Sequence, residues 1–240
     1  MKPILFNTDM VRAILDGRKT VTRRVAKLPS NIKPQGKELY TLHTEGTCYE
    51  NQRIEDIVDY LKPPCKVNDV LYVREAWHKY TKRVGKGFEC RLQEFYGYKA
   101  SVANSEDANT PWKPSIHMPK EAARLFLRVT GVRVERLQDI TEEQAEAEGI
   151  RGYTKDGKLY KYAVNTDWWL NYHYKQRKIF KGSWWQDMPR TAKEAFHHLW
   201  NSTLLGKKDT PEWYANNWSG NPYVWVIEFE VIPADQAQGN

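Results

Sequence analysis

Cysteine is scarce in this chain: Cys48, Cys65 and Cys90 are the only three in 240 residues, and no pair has CxxC spacing. A disulfide framework and a thiolate zinc site are thereby excluded, and a reducing cytoplasm is the expected setting. Long apolar runs are missing too; none approaches the roughly 20 residues that cross a bilayer. The segment Met1 to Asp9 turns polar too early for a secretory leader, so no membrane partner is expected. The chain holds no P-loop, dinucleotide fingerprint, GxSxG elbow or HExxH pair. ATP, NAD and zinc chemistry drop out with them, and no cofactor is expected. His43, His78 and His173 lack partners at ligand spacing, and the adjacent His197 and His198 would diverge on a helix.

What the chain has in quantity is positive charge and large aromatics. Thirty-seven Lys and Arg against thirty Asp and Glu leave a net charge of +7. The isoelectric point is near 9.1 and the mean hydropathy is -0.76. Such a balance favours encounter with polyanions, nucleic acid first among them. Ten Trp and fourteen Tyr could serve a base-stacking surface. Charge also serves solubility and rings also fill cores, so composition alone leaves both readings open.

Thr8 to Gly17 reads as a short helix capped by Thr8 or Asp9, with Met10, Val11, Ile14 and Leu15 on one face and Gly17 as its left-handed stop. Thr20 to Val25 alternates like a strand. Residues 26–66 are poorly patterned, with one short helix expected around Ile54 to Leu61. Val67 to Val70 is a turn that feeds a strand, Leu71 to Glu75. Residues 79–115 and 151–190 read as irregular, basic and aromatic insertions. Ala123 to Leu137 is a long strand whose apolar parity flips at Gly131, the mark of a bulge. Thr141 with Gln144 and Thr191 with Glu194 are capping boxes that open two helices. Tyr223 to Val231 is the last strand, and residues 233–240 form a flexible tail. The inventory predicts a mainly β, α+β fold, a small barrel with flanking helices, as one domain over residues 1–232.

Three constellations could carry chemistry. In Gly17-Arg18-Lys19-Thr20-Val21-Thr22-Arg23-Arg24, a threonine hydroxyl needs a neighbour to take its proton. Lys19 can be that neighbour only where burial and cations lower its pKa. In a regular strand Lys19 and Thr22 face opposite ways, so they meet only if Lys19 lies in the turn and the strand starts late. A solvated basic edge strand is the other reading of the same residues. Glu148 sits in the last turn of its helix, against the macrodipole by roughly 0.3–1 kcal/mol. Arg74, Glu75 and Trp77 close a strand, where they could hold a phosphate, a base edge and a base face, or form a surface ion pair over a half-buried indole. His117, beside Met118 in a proline-rich stretch, reads as a packed loop residue.

Four segments in order resemble the ASCH domain family: Gly17 to Thr22 followed by arginine, Val67 to Val73, Asp139 to Gly149, and Val226 to Phe229. Trp77, Ser115 to Pro119 and Glu135 to Ile140 look like its larger phage and prophage members. The resemblance implies a PUA-like β-barrel with a cleft for RNA or nucleosides. One bacterial branch is similar to N4-acetylcytidine amidohydrolases, compact domains of about 100 residues, a size that just folds alone. By that likeness Lys19, Thr22 and Glu148 would be catalytic. Arg18, Arg24, Arg74, Glu75 and Trp77 are the expected substrate contacts. The implied reaction removes the acyl group from the exocyclic amine of a modified cytidine. Two alternatives stand beside it: a non-catalytic RNA-binding module, and a ribonuclease. The expected partners are a modified nucleoside and, in the alternatives, RNA.

Overall fold

Two long apolar strands organise the molecule. The computed structural model describes residues 1–35, 39–86, 90–102, 111–175, 184–204, 206 and 209–238. In chain order the elements begin with β1 (Lys2–Leu5), α1 (Thr8–Leu15), β2 (Val21–Val25), β3 (Ile32–Gln35), β4 (Leu39–Thr44) and β5 (Thr47–Gln52). Next come β6 (Val70–Arg74), β7 (Trp77–Val84), β8 (Arg91–Tyr98), β9 (Phe126–Arg136) and α2 (Glu142–Ala147). The chain continues with β10 (Arg151–Thr154), β11 (Tyr160–Ala163), α3 (Thr166–Lys175), α4 (Ala192–Thr203), α5 (Pro211–Asn216), β12 (Tyr223–Ile232) and α6 (Ala234–Gln238).

The main sheet has five strands in the order β1-β6-β9-β12-β2. Only the β1–β6 pair is parallel. The register of β9 on β12 slips between Glu228, opposite Gly131, and Phe229, opposite Val129, so the bulge expected at Gly131 is present. The fold is α+β and mainly strand, but the described main-chain pairing does not close the sheet into a barrel. β1 and β2 remain its two edges, and a side chain spans them: Arg24 Nη2 in β2 donates to the Leu5 carbonyl of β1 at 2.9 Å.

Several expectations of irregular chain give way to paired strands. The 26–66 stretch holds the three-stranded sheet β3-β4-β5 and a short 3-10 helix at Glu55–Tyr60. Within 79–115, β7 and β8 pair over their full length as a hairpin; positions 87–89 and 103–110 lie outside the described residues. Within 151–190, β10 pairs with β11 and α3 follows, while 176–183 lie outside the described residues. Polar and aromatic alternation on two-stranded ribbons is too weak a pattern to stand out from loop. The tail is also helical from Ala234, with Ala237 fully buried beside Tyr72 and Phe126; 239–240 lie outside the described residues.

One buried cluster extends from Ile4 in β1 to Phe229 in β12 and takes in Met10, Val11 and Ile14 of α1. Leu15, expected on that face, is exposed, and Ala13 takes the buried place. Phe196, Leu199 and Trp200 of α4 complete this core. The Glu142 carboxylate of α2 receives the backbone N–H groups of Ala192 and Lys193 at 2.6 and 3.1 Å. It thereby satisfies two of the donors a helix start leaves open and fixes α4 against α2. No helix among the described residues is long and apolar enough to cross a membrane.

Candidate functional site

The site begins where α1 stops. Asn7, and neither Thr8 nor Asp9, caps that helix by accepting the Met10 N–H at 2.9 Å. Its side chain reaches the third residue on, which Thr8 could not do from inside the first turn. At the other end Gly17 takes a left-handed φ of 72°, and the N–H groups of Arg18 and Lys19 both point to the Ala13 carbonyl, at 2.9 and 3.0 Å. Lys19 therefore lies in the turn, and β2 starts only at Val21, the geometry the sequence requires for Lys19 and Thr22 to share a site.

Lys19 then meets α2. Its backbone forms an isolated bridge with Glu148, and Thr20 N donates to the Ala147 carbonyl at 2.9 Å. Gly149 makes that approach possible: its φ is 103°, and a Cβ there would come within 2.9 Å of the Ala13 Cβ and 3.5 Å of the Lys19 Cβ. The helix that bears Glu148 is opened by the Thr141–Gln144 capping box. Gln144 does a second task, accepting from Arg23 Nη2 at 2.7 Å.

Lys19 and Glu148 are 2% and 3% exposed, so their charges have almost no water to solvate them. Lys19 Nζ donates to Glu148 Oε2 at 2.5 Å, to the Glu148 carbonyl at 3.0 Å and to the Val21 carbonyl at 2.8 Å. Three donors thus find three acceptors. Burial holds the Lys19 pKa below its ordinary 10.5; Glu148 opposes that shift, and Arg24 and Arg23 reinforce it. Glu148 Oε1 takes a further bond from Arg23 Nη1 at 3.3 Å. Arg23 also reaches Glu135, which pairs with Arg133, which in turn pairs with Glu228. A charged network thus leads from the buried pair over neighbouring strands to the half-exposed Arg133 and Glu228.

Thr22 is buried, and its hydroxyl oxygen accepts from Arg24 Nη1 at 3.2 Å. Among the described residues no hydrogen bond joins Lys19 to Thr22, because the Lys19 donors are spent on Glu148 and Val21. The two nonetheless line the same cavity of about 190 Å³, together with Glu148, Arg23, Arg24 and Phe6. Phe6 lies beneath both Lys19 Nζ and the Arg24 guanidinium, 5.6 and 5.3 Å from its centroid. Phe196, Leu199 and Trp200 of α4 supply an apolar wall. A groove of about 670 Å³ adjoins, sharing Phe6, Asn7, Met10, Arg24 and Thr203 with the cavity. Arg23 is 3% exposed, and its Nε has no hydrogen-bond acceptor among the described residues.

The other expected substrate contacts stand elsewhere. Arg18 is spent on Asp16 at 2.9 Å and on the Gly149 carbonyl at 2.5 Å, bracing the turn outside the cavity. Arg74 reaches the Ile116 carbonyl at 3.3 Å and lies over Tyr72. Glu75 is 1% exposed and held by two bonds from Arg124, at 2.8 and 3.0 Å. Trp77 is buried with Met118 and Ala122. None of these four lines the cavity. The sequence points to Arg23 only as a cation near Lys19, and it leaves Gln144, Glu135 and Phe6 out of the site. Arg23 carried a signal, as a charged residue at the centre of a strand otherwise expected to be half buried; the others needed the tertiary fold.

Among the described residues no group of three or more His, Cys, Asp or Glu side chains is placed to hold a metal. Comparison of the chain with models of protein families, with characterised proteins and with solved structures returns no match.

Proposed function

We propose that the chain is an amidohydrolase of the ASCH type that removes the N4-acyl group from acylated cytidines. One observation carries the reading: Lys19, Thr22 and Glu148, from the α1–β2 turn, β2 and the end of α2, line one cavity. The side-chain bridge from Arg24 to Leu5 between the two sheet edges supports a PUA-like barrel as the parent fold.

In this scheme Thr22 Oγ attacks the acyl carbonyl. Its proton goes to Lys19, which has first passed one of its own to Glu148 across the 2.5 Å contact. The C–N bond breaks as Lys19 returns a proton to the exocyclic amine, releasing cytidine and leaving an acyl ester on Thr22. Water then hydrolyses the ester to a carboxylic acid and restores the hydroxyl. Burial of Lys19 favours the neutral amine this needs. Arg24, donating to the hydroxyl oxygen, eases the loss of its proton to Lys19.

The buried Arg23 Nε–H without an acceptor suits a site that receives one from substrate. The cavity and the adjoining groove together are on the scale of a small-molecule pocket, with Phe6 and the α4 wall for a flat ring. Chromatography of N4-acetylcytidine after incubation with the purified protein tests the reading, with cytidine and acetate as the expected products. Intact nucleoside alongside shortened RNA would favour a ribonuclease instead.

A further inference from the structure

The β7–β8 hairpin is unlike the rest of the fold. It pairs with no strand of the main sheet, and from Lys79 to Glu94 the described residues of its strands are exposed. An isolated two-stranded ribbon is marginal in water unless side chains hold it. Here a row of rings does so. Tyr80 and Phe95 sit directly opposite and stack at 5.7 Å, His78 lies 5.3 Å from Tyr80, and Trp112 lies 4.6 Å from His78. Opposite His78 stands Gly97, where a Cβ would come within 2.0 Å of the imidazole Nε2, so the ring lies across the space of a missing side chain. Register puts His78, Tyr80, Lys82, Phe95, Gln93 and Arg91 on one face of the ribbon.

Charge on this hairpin is mostly positive. It carries Lys79, Lys82, Arg83, Lys86 and Arg91 against Glu89 and Glu94. Among the described residues only Lys79 has a carboxylate partner, Glu94 at 2.7 Å on the other face. Exposed lysines alone would be explained as protection of a ribbon edge. A row of rings ending beside Lys82 and Arg91, with Tyr80 43% exposed, is not needed for that. Rings that offer π-faces, next to cations spaced along a strand, match the alternation of bases and phosphates in a single-stranded polynucleotide.

We propose that the β7–β8 hairpin is a docking arm for single-stranded nucleic acid, with Tyr80 and His78 stacking on bases and Lys82 and Arg91 pairing with phosphates. The arm follows Arg74, whose carbonyl accepts the N–H of Phe6, a residue of the Lys19 cavity, at 3.1 Å. This binding is separate from amide hydrolysis, and either can hold without the other.

The test is fluorescence anisotropy of a short labelled oligouridine against the full chain over a range of salt. Binding should weaken with salt, and Lys82→Ala with Arg91→Ala should flatten the log–log slope by about 0.7 for each cation removed. Tyr80→Ala should weaken binding about tenfold with the slope unchanged. Tyr80→Leu, which keeps apolar packing on Phe95, should show the same loss and guards against a collapsed hairpin. Wild-type affinity in both the cation and Tyr80 variants would overturn the proposal. So would polyglutamate binding as tightly as oligouridine with no dependence on Tyr80, since that describes a surface for acidic protein.

Discussion

Lys19 Nζ lies 2.5 Å from Glu148 Oε2, although the two residues are 129 positions apart and both are almost wholly shielded from water. Removing one partner leaves a buried charge uncompensated, which costs about 3–5 kcal/mol. Glu148→Ala is the more damaging change, because Arg23 also loses an acceptor. Lys19→Met combined with Glu148→Gln should cost clearly less than the sum of the single changes. Urea unfolding of the four proteins checks this, and strict additivity would contradict the pairing.

The depressed Lys19 pKa has a consequence for stability whose sign is definite. Its folded value lies below the unfolded 10.5, chiefly through burial. Between those two values the unfolded chain binds more protons than the folded one, so stability rises with pH there. Below that window the cost of protonated Lys19 is constant. Wild type should therefore gain on Lys19→Met as pH climbs through the window towards 10.5. Unfolding curves for both proteins at successive pH values measure the difference; a flat or falling one would contradict the shift.

The same group should govern the alkaline limb of the rate profile. Turnover is expected to rise with the neutral form of Lys19, with a midpoint below 10.5. Arg24 is a like charge that lowers this value, so Arg24→Gln should move the midpoint up. It should also reduce kcat, because the Thr22 hydroxyl loses its donor. An unmoved midpoint would separate Arg24 from the Lys19 titration.

The two glycines that frame the site should respond differently to a methyl group. At Gly17 a Cβ meets nothing within 4 Å, so Gly17→Ala costs only the left-handed backbone, about 1–2 kcal/mol. At Gly149 the same strain is joined by the 2.9 Å approach to Ala13 and by the Lys19 side chain. Gly149→Ala should therefore cost more, and should lower activity as Lys19 is displaced. Equal losses in thermal unfolding would contradict this.

Much of the site was legible in the sequence for local reasons. The Gly17 stop, the late start of β2 and the Thr141–Gln144 capping box are short-range features, and each is present. Glu148 stood out because it offends its helix dipole, and its partner Lys19 accounts for that. What stayed hidden was long-range or weakly patterned. Glu75 looked like a surface strand-end carboxylate because Arg124, its partner, is 49 positions away. The β3-β4-β5 and β7–β8 ribbons read as loop because their strands interleave polar and aromatic residues with few aliphatic ones, which blurs the alternation that marks a strand. The Lys19–Thr22 contact expected from the turn was replaced by Lys19–Glu148, since a buried ammonium takes the acceptor with the opposite charge.

Trp77 makes the distinction between packing and substrate contact testable. It is 6% exposed against Met118 and Ala122, away from the Lys19 cavity. Trp77→Ala should cost about 3–5 kcal/mol of stability. The turnover of the protein that remains folded should be little changed. A large loss of kcat at unchanged stability would return Trp77 to the substrate site.

The most direct test of the proposed chemistry is turnover of N4-acetylcytidine by wild type, Thr22→Ala and Thr22→Ser. Thr22 accepts one hydrogen bond and belongs to no ion pair, so both variants should fold as wild type does. Wild type should release cytidine and acetate, Thr22→Ser should retain activity, and Thr22→Ala should have none. Cytidine release by Thr22→Ala at the wild-type rate, with its thermal midpoint unchanged, would contradict a threonine nucleophile and the site built around it.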